Sequence, residues 1–170
     1  STGVQLTKEN SKVAFKERLT KQTSDTEFVV PDTFVSLSRS KEAEAYVKRV
    51  GSYDAYLNGL ADIRYDFQQE RVVYLVKHNN KIVDATGRSL NERKPKWRRY
   101  GNSRNPFLSG NGLCGIVVED CPSACSVSDI WVGIALMGTT LLDEHIDVIK
   151  NYKKVFVALD KDATSKAYIM

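Results

Sequence analysis

Apolar and polar positions change their rhythm partway along the chain. Residues 113–119, 131–136 and 154–159 are short continuous apolar runs, the pattern of strands buried on both faces. Between the second and third lies an amphipathic segment, residues 141–152. Leu142, Ile146 and Ile149 mark one side, and Asp143, Glu144, Asp147 and Lys150 the other, which predicts a helix capped by Thr139 or Thr140. Residues 122–127, opening on Pro122, predict a shorter helix between the first two runs. Strand, helix, strand, helix, strand predicts an α/β fold with a parallel βαβαβ sheet and right-handed crossovers. Residues 163–170 predict a further helix.

Upstream the pattern is mixed. Residues 38–50 predict a helix capped by Ser38 or Ser40, with Glu42 and Glu44 in its first turn, Lys48 and Arg49 in its last, and Gly51 as its stop. Residues 53–60 predict a second short helix. Residues 71–77 and 81–86 predict a β-hairpin turning at Asn79-Asn80. Residues 87–109 hold Pro95, Gly101 and Pro106 and read mostly as loop, with a short strand near Lys96-Trp97. Residues 1–26 are polar and weakly periodic, with at most a short helix around Val13, Phe15 and Leu19. The expected organisation is a leader or linker over 1–30, a small basic α+β lobe with the hairpin over 31–109, and the parallel-sheet domain over 110–170.

Composition agrees with ordinary globular material: 170 residues, 42% hydrophobic and 27% charged. No run of about 18 apolar residues is present, so no membrane span is expected. Residues 1–26 lack the apolar core of a secretory signal. The three cysteines, Cys114, Cys121 and Cys125, are too few and too unpaired for a disulfide framework. The two histidines, His78 and His145, are too distant in sequence to complete a zinc site with them. The cysteines are expected as buried reduced thiols in a cytoplasmic protein, and His145 as a surface residue.

Two of the three apolar runs end in acids. Glu119, followed by Asp120, closes the first, and Asp160 and Asp162 follow the third. The second ends at Met137-Gly138-Thr139-Thr140, small enough to let a phosphate approach. Ligands of open parallel sheets bind at the carboxyl ends of the strands. Carboxylates converging there repel one another unless a cation lies between them. An oxygen-only set suits Mg²⁺ or Mn²⁺. The competing reading is that such acids are helix N-caps or solvated loop residues.

The net charge of +4 matters less than its distribution. Arg88, Arg93, Lys94, Lys96, Arg98, Arg99 and Arg104 crowd one stretch, with Trp97 and Tyr100 interleaved. Cations neutralise phosphates and exposed aromatics stack bases, which suits single-stranded nucleic acid. The alternatives are a solvated loop and a Trp97 that anchors in the core.

These residues resemble a known family. Glu119 after one strand, Gly138 after the next and Asp160-Lys-Asp162 after the third are similar to the Toprim pattern of primases, topoisomerases and some nucleases. The stretch from Ala135 to His145 followed by Val157-Ala-Leu-Asp-Lys-Asp162 resembles bacterial-type and phage-type DNA primases. Ala43-Glu-Ala-Tyr-Val-Lys-Arg49, Val83-Asp-Ala-Thr-Gly-Arg-Ser-Leu90 and Lys94-Pro-Lys-Trp97 resemble segments of the lobe preceding the Toprim domain. The resemblance covers about residues 36–170, in family order. It implies that Asp160 and Asp162 hold Mg²⁺, that Glu119 acts as acid, base or metal ligand, and that Arg88 and Lys96 contact nucleotide or template. Two departures stand out: Asp120 replaces the usual Gly after the first Glu, and no zinc-binding module is evident. The last Toprim strand is also missing, so the chain resembles a truncated, phage-like primase core. No Walker-type helicase loop is present.

The function so implied is Mg²⁺- or Mn²⁺-dependent RNA primer synthesis on single-stranded DNA. Nucleoside triphosphates are the substrates, a helicase or polymerase is a partner, and the location is the cytoplasm (the bacterial host's if the chain is phage-encoded). Glu119, Asp160 and Asp162 would be both catalytic and metal-binding; Arg88, Lys94, Lys96, Trp97, Arg98, Arg99 and Arg104 would bind nucleic acid. The alternative is a non-catalytic Toprim-like accessory protein that binds single-stranded nucleic acid in replication or transcription. A Toprim nuclease ranks third.

Overall fold

The computed structural model describes residues 28–159. The expected helices near Val13 and after Asp162, and the residues Asp160 and Asp162 themselves, lie outside them. The architecture is mixed α/β, built on two sheets.

The first sheet is antiparallel, in the order β1 (Phe34–Ser36), β2 (Ile63–Asp66), β3 (Arg71–His78), β4 (Lys81–Ser89), β5 (Trp97–Arg99). Its centre is the expected hairpin. Asn79 and Asn80 adopt φ of 52° and 64°, the paired left-handed geometry of a two-residue turn matched to strand twist, and His78 pairs with Lys81. β3 is buried on both faces: Val72, Tyr74 and Val76 enter one core cluster, while Val73 and Leu75 enter another with Phe34 and Ala85. β4 runs on to Ser89, three residues past the expected end, and β5 pairs with it from Trp97 to Arg99.

Helix α1 (Lys41–Arg49) and the short α2 (Tyr53–Leu57) cover the first face. Of the two candidate caps for α1, Ser40 is the one used: its hydroxyl accepts the Ala43 N–H at 3.1 Å. Gly51 follows the helix at φ 79°, a conformation open to glycine at little cost.

The second sheet has the order β6 (Phe107–Ser109), β8 (Val132–Ala135), β7 (Cys114–Val118), β9 (Lys154–Val157). β7 pairs in parallel with both β8 and β9. β6 pairs antiparallel with β8, so the sheet is only partly parallel; the residues expected as loop just before it supply this edge strand. Helix α3 (Cys121–Ser126) connects β7 to β8, and α4 (Asp143–Ile149) connects β8 to β9. Cys121, Ala124 and Cys125 of α3 belong to the same core as α1, β3 and Phe107. Ile149 of α4 packs with Val117, Ile134 and Val155.

Two expectations about α4 are corrected. Neither Thr139 nor Thr140 caps it; the N-cap is Leu142. His145 is not a surface residue but is 2% exposed. Its Nδ1 accepts the Leu142 N–H at 3.0 Å, so the imidazole does the capping from inside the helix. Burial lowers the His145 pKa, opposed by Glu144 and reinforced by Arg99 and Arg104. The cysteines are free thiols, with Cys121 and Cys125 buried. Burial pushes Cys125 up to about 11 and Cys121 well above its ordinary value, so both are inert packing groups.

Candidate nucleotide and metal site

A cavity of about 570 Å³ opens between the two sheets, lined by Thr86, Trp97, Arg99, Glu119, Asp120, Cys121, Met137, Gly138 and Thr139. One wall is the β4–β5 edge of the first sheet. The other is the carboxyl end of β7 and the turn after β8. Trp97 and Arg99, two apart on β5, share a face of that strand, so period-two geometry sends both into the cavity. A smaller recess of about 210 Å³ shares Arg99, Met137, Gly138 and Thr139, and reaches Arg104 and His145.

Glu119 stands at the end of β7, half-buried. Its carbonyl accepts the Met137 N–H at 2.7 Å, and the Val118 carbonyl accepts the Leu136 N–H at 3.0 Å. The turn after β8 is thereby held against the acid. Met137 takes φ 58°, an uncommon conformation for a long side chain, and Gly138 beside it is open, with no atom within 4 Å of where a Cβ would stand. On the other flank, Ala158 donates to the Val117 carbonyl at 2.8 Å. The chain thus leaves the described residues at the same end of the sheet as Glu119.

Among the described residues, no group of three or more His, Cys, Asp or Glu side chains is placed to hold a metal ion. Glu119 and Asp120 supply two carboxylates to one cavity. Oxygen-only chemistry suits a hard divalent cation, and Glu119 is the described residue of the expected ligand set that lines this cavity. Asp120 has a local task as well: its Oδ1 accepts the Ser123 N–H at 2.9 Å as N-cap of α3. Helix capping thus accounts for the acid that follows Glu119.

The basic residues divide. Arg99 and Trp97 enter the cavity. Trp97 is half-buried, its ring 5.9 Å from that of Tyr74, so it is both core anchor and cavity wall. Arg88 is half-buried with its guanidinium 6.0 Å from the Tyr46 ring, and its Nε and Nη1 make no hydrogen bond. Lys94 and Lys96 are exposed on the loop before β5. Arg98 lies 5.0 Å over the Tyr100 ring. Arg104 turns toward α4, its Nε 3.6 Å from Glu144 Oε1.

Sequence reasoning named Met137 with the turn after the second apolar run but missed Thr86 and Asp84. Asp84 is fully buried on β4, where burial raises its pKa against the lowering by the Ala85 N–H, Arg99 and the Gly101 N–H. An acid flanked by the apolar Ile82-Val83 and Ala85 in the middle of a strand was the available signal.

No protein-family model matches the chain, and no curated protein matches it by sequence. Solved structures do. The Aquifex aeolicus primase (zinc binding and RNA polymerase domains) superposes with a TM-score of 0.57 at 21% identity, over 76% of this chain and 45% of that one. The E. coli primase catalytic core gives 0.56 at 12%, over 76% and 69%. A DnaG primase catalytic domain bound to single-stranded DNA gives 0.55 at 15%, over 72% and 56%. The chain therefore spans about half the length of the Aquifex and DNA-bound structures. At such identities the shared property is the fold: residues 28–159 carry the mixed α/β fold of DnaG-type primase catalytic cores.

Proposed function

We propose that the chain is the nucleotidyl-transferring part of a phage-type DNA primase, making RNA on single-stranded DNA in the cytoplasm with a divalent cation. The observation that carries this reading is the cavity. It brings Glu119 at the end of β7, the open Gly138-Thr139 turn and the β5 cation Arg99 around one space of about 570 Å³, on a fold shared with primase cores. A cation held by Glu119, Asp160 and Asp162 would supply charge neutralisation for phosphates and for departing pyrophosphate. The protein's own part is positioning. Glu119 accepts a proton or orients the attacking hydroxyl, Gly138 lets phosphate approach the backbone, and Trp97 offers a flat wall to a base. Lys94, Lys96, Arg88 and Arg98 hold the template backbone by charge. The nucleic-acid strand named for one similar structure favours a single-stranded DNA template here too. A helicase or polymerase partner belongs to the same reading.

The test is single-stranded DNA incubated with Mg²⁺ and labelled ribonucleotides, comparing the chain with Asp160→Ala/Asp162→Ala. Short RNA products absent from the double variant support the reading. Salt-sensitive DNA binding without products in either protein points instead to a binding module. Strand cleavage without nucleotides points to a nuclease.

A further inference from the structure

Arg99 belongs by sequence to the basic stretch, yet its side chain is placed unlike the others. Its Nη1 donates to Asp84 Oδ2 at 3.2 Å and to the Ser103 carbonyl at 2.9 Å, and Nη2 lies 3.8 Å from Met137 Sδ. Among the described residues, Nε and Nη2 meet no oxygen acceptor, while the side chain lines the cavity holding Glu119, Gly138 and Thr139 and also the adjoining recess. One end of the guanidinium fork is thus clamped by oxygens, while the other meets only the Met137 sulfur at the lining of the cavity.

The clamp itself is rigid. The Asp84 side chain is 1% exposed, and its Oδ1 accepts the N–H groups of Ala85 and Gly101, each at 2.7 Å. Gly101 has no room for a side chain: a Cβ there would come within 2.8 Å of Asp84 Oδ1. A buried carboxylate is costly unless its oxygens are satisfied, and here two backbone donors and one guanidinium satisfy them. An exposed strand-binding arginine needs no such buried partner.

We propose that Arg99 is a phosphate-anchoring residue of the cavity, contacting the phosphates of the incoming nucleotide and not the template strand, and that Asp84 is its positioning residue. This rests on the primase reading and deepens it. The fork geometry of a guanidinium matches phosphate oxygens, and a cavity of about 570 Å³ falls in the range of sites for small ligands, roughly 300–1,000 Å³. Lys94 and Lys96, exposed and outside the cavity, remain for the strand.

The probe is inorganic triphosphate with Mg²⁺, titrated against the full chain alongside single-stranded DNA. Arg99→Gln should weaken triphosphate binding about tenfold, as expected for losing one charge-assisted contact, and change DNA binding less than twofold. Asp84→Asn keeps an acceptor for the two backbone N–H groups but removes the charge facing Arg99. It should raise KM for ribonucleotides with kcat nearly unchanged. Adding Asp84→Asn to Arg99→Gln should weaken triphosphate binding no further, because the two act as one unit. Circular dichroism checks that Asp84→Asn is folded; Arg99, being exposed, gives a readout independent of that. Equal losses for triphosphate and DNA in Arg99→Gln, or no loss for triphosphate, overturn the phosphate assignment. Additive losses in the double variant overturn the role of Asp84. A wild-type chain that makes RNA while Arg99→Gln binds triphosphate normally sinks this inference alone. A wild-type chain that neither makes RNA nor binds triphosphate sinks the primase reading with it.

Discussion

The Tyr100 hydroxyl donates a 2.6 Å hydrogen bond to Asp66 Oδ2, joining the segment after β5 to the end of β2. Asp66 is 1% exposed, and its Oδ1 accepts the N–H groups of Gln68 and Gln69 at 3.0 and 3.2 Å. The Tyr100 ring meets Phe34 edge-on at 4.9 Å. An aromatic that sequence placed among base-stacking candidates is thus spent on structure. Tyr100→Phe should lower unfolding free energy by about 1–3 kcal/mol, the cost of leaving a buried charged acceptor short of a donor. Urea denaturation measures it. Affinity for single-stranded DNA should stay within twofold of wild type.

Asp120 separates helix capping from chemistry. Asp120→Ala should cost about 1 kcal/mol of stability through loss of the α3 cap, and Asp120→Gly only a few tenths. On the proposed primase reading, RNA synthesis by the folded Asp120→Gly protein should remain within a few-fold of wild type. A loss as deep as that of Asp160→Ala/Asp162→Ala would instead make Asp120 a metal ligand.

Glu119→Gln preserves size and removes the charge and basicity. If Glu119 works as acid or base, product formation should fall about 10²–10⁴-fold, while the thermal midpoint moves by no more than a surface substitution would move it. A midpoint raised at low metal and unchanged at saturating Mg²⁺ would additionally mark it as a ligand, since like charges at a site repel until a cation binds.

His145 gives a pH dependence with a definite sign. Its folded pKa lies below the ordinary 6.5, so below that pH the unfolded chain binds the proton more readily than the folded one. Stability is fully present above about pH 6.5 and declines as pH falls toward the folded value, by at most about 1.4 kcal/mol per unit. His145→Asn leaves a polar atom at the capping position that cannot be protonated in this range. It should flatten the acid limb of the thermal midpoint between pH 6.5 and 5.

Gly133 on β8 lies directly against the backbone of Ala124 in α3, leaving no space for a Cβ. Because backbone cannot rotate aside as a side chain can, Gly133→Ala should cost about 3 kcal/mol or more. Expression as soluble folded protein, read by circular dichroism, checks it.

What sequence made legible follows from range. The hairpin at Asn79-Asn80 and the cap at Ser40 depend on neighbours within a few residues, and both are found as expected. The apolar runs of β7, β8 and β9 announce burial on two faces. The strands missed, β1, β2 and β6, are three or four residues long, too short to show a period, and exist because distant partners pair with them. At the site, Glu119 and the Gly138 turn were visible from their place after apolar runs. The inward aim of Arg99 was not, because it depends on Asp84, fifteen residues away. His145 was misplaced for a related reason: a polar side chain on an amphipathic helix reads as exposed until its hydrogen-bond acceptor role is seen.

The order β8-β7-β9 has a consequence for how such a site arises. The chain leaves β7 to build a neighbour on one side, then returns to build one on the other, so the connections at its carboxyl end part in opposite directions. That topological switch point leaves a crevice whatever side chains line it. The location of the crevice is therefore a property of strand order, and the side chains around Glu119 decide only what it can hold. Substitutions there should change what binds while the crevice itself survives.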